Sequence, residues 1–172
     1  MKKLFKLQPL RGIEWNGKVI NLGDSKQTVE NVLGRPEIMD DSYYFFNSDL
    51  RIDFDKSGDV EFIEFLGGMA GELRPEIYGI NVFETLAEDV KNVLSAKNNG
   101  VVDDSENGYS YAFLNSSIGV YRESIPEDVE EMIAEMEQDG IDTSDNEDIE
   151  YEKRKANYWA TIGIGKPGYY KA

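Results

Sequence analysis

The sequence predicts an α+β protein in which two tandem modules, each a helix followed by an antiparallel hairpin, form a sheet packed by helices. Three observations carry that expectation. Residues 45–52, FFNSDLRI, recur as residues 113–120, FLNSSIGV, at an offset of 68. Each copy follows an amphipathic helical segment. The second hairpin is then interrupted by a long acidic stretch before its returning strand. Internal similarity with elements in the same order is the mark of a repeated architecture. The chain is accordingly read as one domain, 1–172, with modules at 12–68 and 74–172 and an acidic insertion at 123–155.

The elements follow in order. Residues 22–33, LGDSKQTVENVL, read as a helix with Asp24 and Gln27, or Ser25 and Thr28, near its cap. Val29, Val32 and Leu33 share a face, and Gly34 with Pro36 ends it. In the second module TLAEDVKNVL offers a capping box from Thr85 and Glu88, an apolar face of Leu86, Val90, Val93 and Leu94, and a stop at residues 98–100. Between Phe45 and Ile52, and again between Phe113 and Val120, a polar turn joins two alternating segments, the pattern of a hairpin.

Residues 53–64, DFDKSGDVEFIE, match a calcium-binding loop at Asp53, Asp55, Ser57, Gly58, Val60 and Glu64. Such a loop needs a helix on each side. The flanks, YYFF and LRI before and FIEF after, are aromatic, branched and alternating, so they read as strands. Residues 55–59 are then a hairpin turn whose glycine supplies positive φ. No metal ligand set and no cofactor is expected, and a calcium-responsive module is a subordinate alternative.

The insertion replaces that turn in the second module. Residues 123–152 contain 14 acidic residues, of 34 in the chain, and no Lys or Arg. Ser124 and Glu127 suggest a capping box around Pro126, and Val129, Met132, Ile133 and Met136 form one stripe ending at Gly140. Residues 142–152 read as an acidic loop, followed by Lys153, Arg154 and Lys155, and the returning strand is expected over 157–165. A charge run can serve solubility alone. Its place at a hairpin tip, beside Tyr121 and Tyr151, also suits an interface of aromatic anchors with a charged rim. The candidate partner-binding residues are Asp53, Tyr121, Glu123, Glu127, Asp128, Glu130, Glu131, Glu135, Glu137, Asp139, Asp142, Asp145, Glu147, Asp148 and Tyr151.

Composition narrows the chemistry. The 172 residues carry no cysteine, so disulfides and thiol catalysis are excluded, and no histidine, the commonest general base. A binding protein is expected rather than an enzyme. A net charge of −16 repels nucleic acid and anionic membranes and favours basic proteins. The start, MKKLFKLQPL, lacks an unbroken apolar stretch and reads as no secretory signal, so a cytoplasmic location is expected.

The helix-and-stop LGDSKQTVENVLGRP and the hairpin over 43–65, with their second copies, resemble the fold shared by the SmpA/OmlA outer-membrane assembly lipoproteins and the β-lactamase inhibitor protein. That resemblance implies two half-modules with sheets side by side and a sheet surface that binds a partner protein. The stretch FFNSDLRIDFDKSGDVEFIEFLGG also resembles immunity proteins of contact-dependent inhibition and related polymorphic toxin systems. This second likeness implies a cytosolic protein that neutralises a cognate toxin domain, here expected to be a basic nuclease. A non-toxin adaptor or inhibitor of the first kind is the alternative.

Overall fold

A computed structural model describes residues 1–171. In chain order it runs β1 (Lys3–Gln8), β2 (Gly12–Trp15), β3 (Lys18–Asn21), α1 (Lys26–Leu33), β4 (Glu37–Met39), β5 (Ser42–Phe45), β6 (Leu50–Phe54), β7 (Val60–Phe65), β8 (Leu73–Ile77) and β9 (Ile80–Asn81). The second part runs α2 (Ala87–Asn98), β10 (Val102–Asp103), β11 (Ser110–Phe113), β12 (Ile118–Tyr121), α3 (Pro126–Gln138), α4 (Glu147–Asn157) and β13 (Thr161–Gly165). The protein is α+β, with two mostly antiparallel sheets. One has five strands in the order β3-β2-β1-β8-β9, the other eight in the order β10-β11-β12-β13-β7-β6-β5-β4.

Alternation builds the core. Phe45, Leu50, Ile52, Ile63, Phe65, Ile118, Val120, Ile162 and Ile164 point to one face of the large sheet and are buried. They join Phe5, Leu7, Ile13, Ile20, Leu73 and Ile77 of the small sheet, Val29 of α1, and Val90 and Leu94 of α2 in a single cluster. Each such side chain contributes about 1.5–3 kcal/mol relative to exposure. Phe5 knits the layers, stacking on Trp15 at 5.4 Å and meeting Phe65 edge-on at 5.4 Å.

The large sheet reads alike from both edges: β4-β5-β6-β7 on one side, β10-β11-β12-β13 on the other, with β7 and β13 antiparallel at the centre. A helix precedes each series, and a hairpin of the small sheet, β2–β3 or β8–β9, precedes each helix. The expected module starts at 12 and 74 fall on the first residue of β2 and the second of β8. The two Phe-x-Asn-Ser turns have equal length but different backbones. Phe46, Asn47 and Ser48 all have positive φ, whereas in the second turn only Ser117 does.

The flanks of residues 53–64 are strands, as alternation required. Gly58 at φ 83° closes the turn, and Asp55 Oδ1 accepts from Ser57 N at 2.9 Å and Asp59 N at 3.1 Å. Asp55 is thereby occupied in holding the hairpin.

Several local expectations are corrected. Ser25 does cap α1, accepting from Thr28 N at 3.2 Å. The Thr85–Glu88 box does not form, because α2 starts at Ala87 with Leu86 at its cap. Nor does Ser124–Glu127 cap α3: Ser124 is buried, Ile125 occupies the cap, and the Asp128 carboxylate accepts from Ile125 N at 3.2 Å. Of the expected loop 142–152, residues 147–152 belong to α4, which runs on to Asn157, and the returning strand therefore starts at Thr161, not 157. Asn146 accepts from Asp148 N and Ile149 N to start that helix, and acidic residues lie in its first turn and basic ones in its last. That arrangement complements the helix dipole. Burial of Ile149 and Ala156, seven apart, supplies the apolar face.

Candidate functional site

The insertion is a pair of packed helices rooted between the end of β12 and the start of β13. Its root is polar and rigid. Arg122 is 4 % exposed and donates from Nε to Gly108 O at 2.9 Å and from Nη1 to Ala156 O at 2.7 Å. Its guanidinium lies 4.9 Å from the Trp159 ring centroid, and Trp159 Nε1 donates to Ala87 O at 3.0 Å. A buried cation thus finds carbonyls and a π-face in place of a carboxylate. Tyr109 donates to Asp128 at 2.5 Å, tying α3 to the loop before β11. This bond, with nearby carboxylates, holds the Tyr109 phenol above its ordinary range.

From that root the carboxylates face water. Val129 is buried and Met132, Ile133 and Met136 are half-buried, as the stripe requires. Glu123, Glu127, Glu130, Glu131, Glu135, Glu137, Asp139, Asp142, Asp145, Glu147 and Asp148 are exposed. Asp128 differs, being half-buried and occupied by its cap and by Tyr109. Lys155 reaches Glu123 and Glu152, each at 3.4 Å, and Lys153 reaches Glu150 at 3.4 Å. Partial burial would pull the Lys155 ammonium down, but those two carboxylates outweigh it and hold it above its ordinary value. Tyr151 projects from α4 at 56 % exposure. It borders a cavity of about 410 Å³ between α4 and the 3₁₀ turn Gly68–Ala70, with Arg154, Tyr158 and Trp159.

Asp53 is not part of this surface. It sits in β6, held by Arg51 Nε at 2.9 Å and Ser42 Oγ at 2.5 Å, with its side chain 15 % exposed. The structure makes it a fixed element of the sheet's outer face. Glu64, the last ligand of the decoy loop, lies opposite Arg51 at 3.7 Å rather than beside Asp55.

That outer face carries residues the sequence reading passed over. One transverse row of paired residues crosses the sheet: Tyr44, Arg51, Glu64, Gly163, Gly119, Ala112 and Asp103. Three neighbouring strands contribute nothing larger than a methyl group, so the row forms a trough. Tyr170 of the C-terminal 3₁₀ turn Tyr169–Lys171 lies over Gly119, where a Cβ would collide with it, and reaches Gly163, where a Cβ would collide with the Phe62 ring. Tyr169 stacks on Phe62 at 4.5 Å. The rest of the trough is a groove of about 280 Å³ lined by Glu64, Asp103, Glu106, Tyr121 and Tyr170 among others, with no Lys or Arg. Burial pushes the Glu64 carboxyl upward against the opposing pull of Arg51. Burial, with Glu64 adding to it, raises the Tyr170 phenol. Bonds from Ser105 hold Asp103 below the usual carboxylate range. Tyr121, 45 % exposed, stands where this groove meets the root of the insertion. A sequence signal for the trough existed: Gly119, Gly163 and Gly165 occupy alternate strand positions, where glycine marks close approach of other groups.

Among the described residues no group of three or more acidic, His or Cys side chains is placed to hold a metal ion, and no helix is long and apolar enough to cross a membrane. No family model, curated protein or solved structure matches the chain.

Proposed function

We propose that the protein is a cytosolic binding protein that captures and neutralises a basic protein domain, acting as an immunity protein against a nuclease-type toxin. The observation that carries this reading is the α3–α4 pair: 14 acidic residues from 123 to 152 with no Lys or Arg among them, ten on the two helices and four in the segments beside them. A nuclease holds phosphates with Lys and Arg. Carboxylates on a rigid scaffold can occupy those positions without the ordering cost of a flexible segment. The net charge of −16 steers a basic domain inward and can raise association to about 10⁸ M⁻¹s⁻¹ at low salt. Tyr121 and Tyr151, both exposed beside the acidic helices, supply aromatic anchors inside a charged rim. Binding, rather than catalysis, is the activity this chemistry serves.

The test is association kinetics with the product of the neighbouring toxin reading frame across a salt series. Reversal of Glu130, Glu131 and Glu135 to Lys should slow association about tenfold or more at low salt and flatten its salt dependence. An unchanged on-rate would remove the acidic helices from the mechanism. Absence of binding to that product would remove the toxin partner.

A further inference from the structure

We infer that the groove on the outer face of the large sheet takes an arginine side chain presented by an extended segment of the basic partner. This rests on the reading above and assigns a second contact, distinct from the acidic helices. Four features converge on a guanidinium. The groove is a formed cavity of about 280 Å³, and every charged side chain lining it is a carboxylate. Asp103 and Glu106 belong to none of the ion pairs of the described residues, and Glu64 has only Arg51 at 3.7 Å. Tyr121 and Tyr170 contribute rings, against which a planar guanidinium stacks better than an ammonium. The floor is shallow at Ala112, which carries only a methyl group beside the Tyr170-covered Gly119.

The groove is also continuous with the acidic helices. Its wall at Glu106 leads to Tyr109, whose N donates to Glu106 O at 3.1 Å and whose hydroxyl bonds Asp128 of α3. Arg122 holds Gly108 of the same loop. A partner seated on α3 and α4 therefore meets the groove at a set distance and angle.

The experiment titrates the intact protein with acetyl-Gly-Gly-Arg-Gly-Gly-amide and follows backbone amide shifts by NMR. Saturable shifts at Ala112, Gly119, Tyr121 and Gly163 are expected. Replacement of the arginine by citrulline, equal in shape but uncharged, should weaken them about tenfold or more. The double variant Asp103→Asn with Glu106→Gln should abolish them while the remaining spectrum stays dispersed. Equal binding of the citrulline peptide, shifts confined to residues 126–157, or no shifts at millimolar peptide would each overturn the assignment. The toxin-capture reading is separately decided by the charge reversal on α3, which leaves the groove intact.

Discussion

At the scale of single residues, the polar groups beneath the acidic helices are the least replaceable. Arg122 meets two carbonyls and a tryptophan face while almost fully buried, so removing it leaves acceptors unpaired at about 1–3 kcal/mol each. Glu64 is the opposite case, a carboxylate paying for its place. Its folded value is raised above the ordinary 4.5, so the folded state holds the proton more tightly than the unfolded chain. Stability from this group is therefore present below about 4.5 and is lost as pH rises through the raised value. Glu64→Gln should accordingly be as stable as the parent or more stable at pH 7. The difference should close as pH is lowered toward 4.5, read by urea denaturation at each pH. A variant weaker at pH 7 would mean that the Arg51 contact outweighs desolvation.

At the scale of elements, α4 is the instructive one. The polar stretch 142–152 reads as a loop, but a capped start, acids in the first turn, bases in the last and a buried Ile149–Ala156 face make 147–157 a helix against α3. Asn146→Ala should cost about 1 kcal/mol. Hydrogen exchange should report that loss across residues 147–157 and leave the large sheet unchanged. An equal loss of protection in β6 and β7 would show instead that insertion and sheet unfold as one unit. The turns teach the complementary lesson. Phe-x-Asn-Ser occurs in both hairpins, but three residues take positive φ in one turn and a single residue in the other.

At the scale of the molecule, charge and topology act on different quantities. The net charge of −16 sets self-repulsion, solubility and steering, while the fold rests on the shared core of two sheets and two helices. Adding salt should screen that repulsion and raise the melting temperature between low ionic strength and about 0.15 M, where the Debye length falls to about 8 Å. A melting temperature that falls with salt would show that the surface pairs, such as Lys155 with Glu123 and Glu152, dominate the balance. The eight-stranded sheet supplies the rigidity. Its two central strands, β7 and β13, are paired on both sides, and the inserted helices lead into the start of the latter.

Local order settled much of this protein. Period-two alternation in FFNSDLRI and IEF defined strands with one buried face, and it weighed against a calcium loop at 53–64 because such a loop needs helical flanks. The stripe of α3 and the outward aim of its glutamates were likewise legible, since both follow from helical periodicity. Helix caps were less so: Ser25 caps α1 as its place suggested, whereas α2 starts behind Leu86 and α3 behind Ile125. Only the tertiary structure withdrew Asp53 into a fixed pair, joined Glu64, Gly163, Gly119, Ala112 and Asp103 in one row, and laid Tyr170 across it. Those residues are distant in the chain, and strand register alone makes them neighbours: sequence patterns report which face a side chain takes, whereas pairing decides whom it meets there.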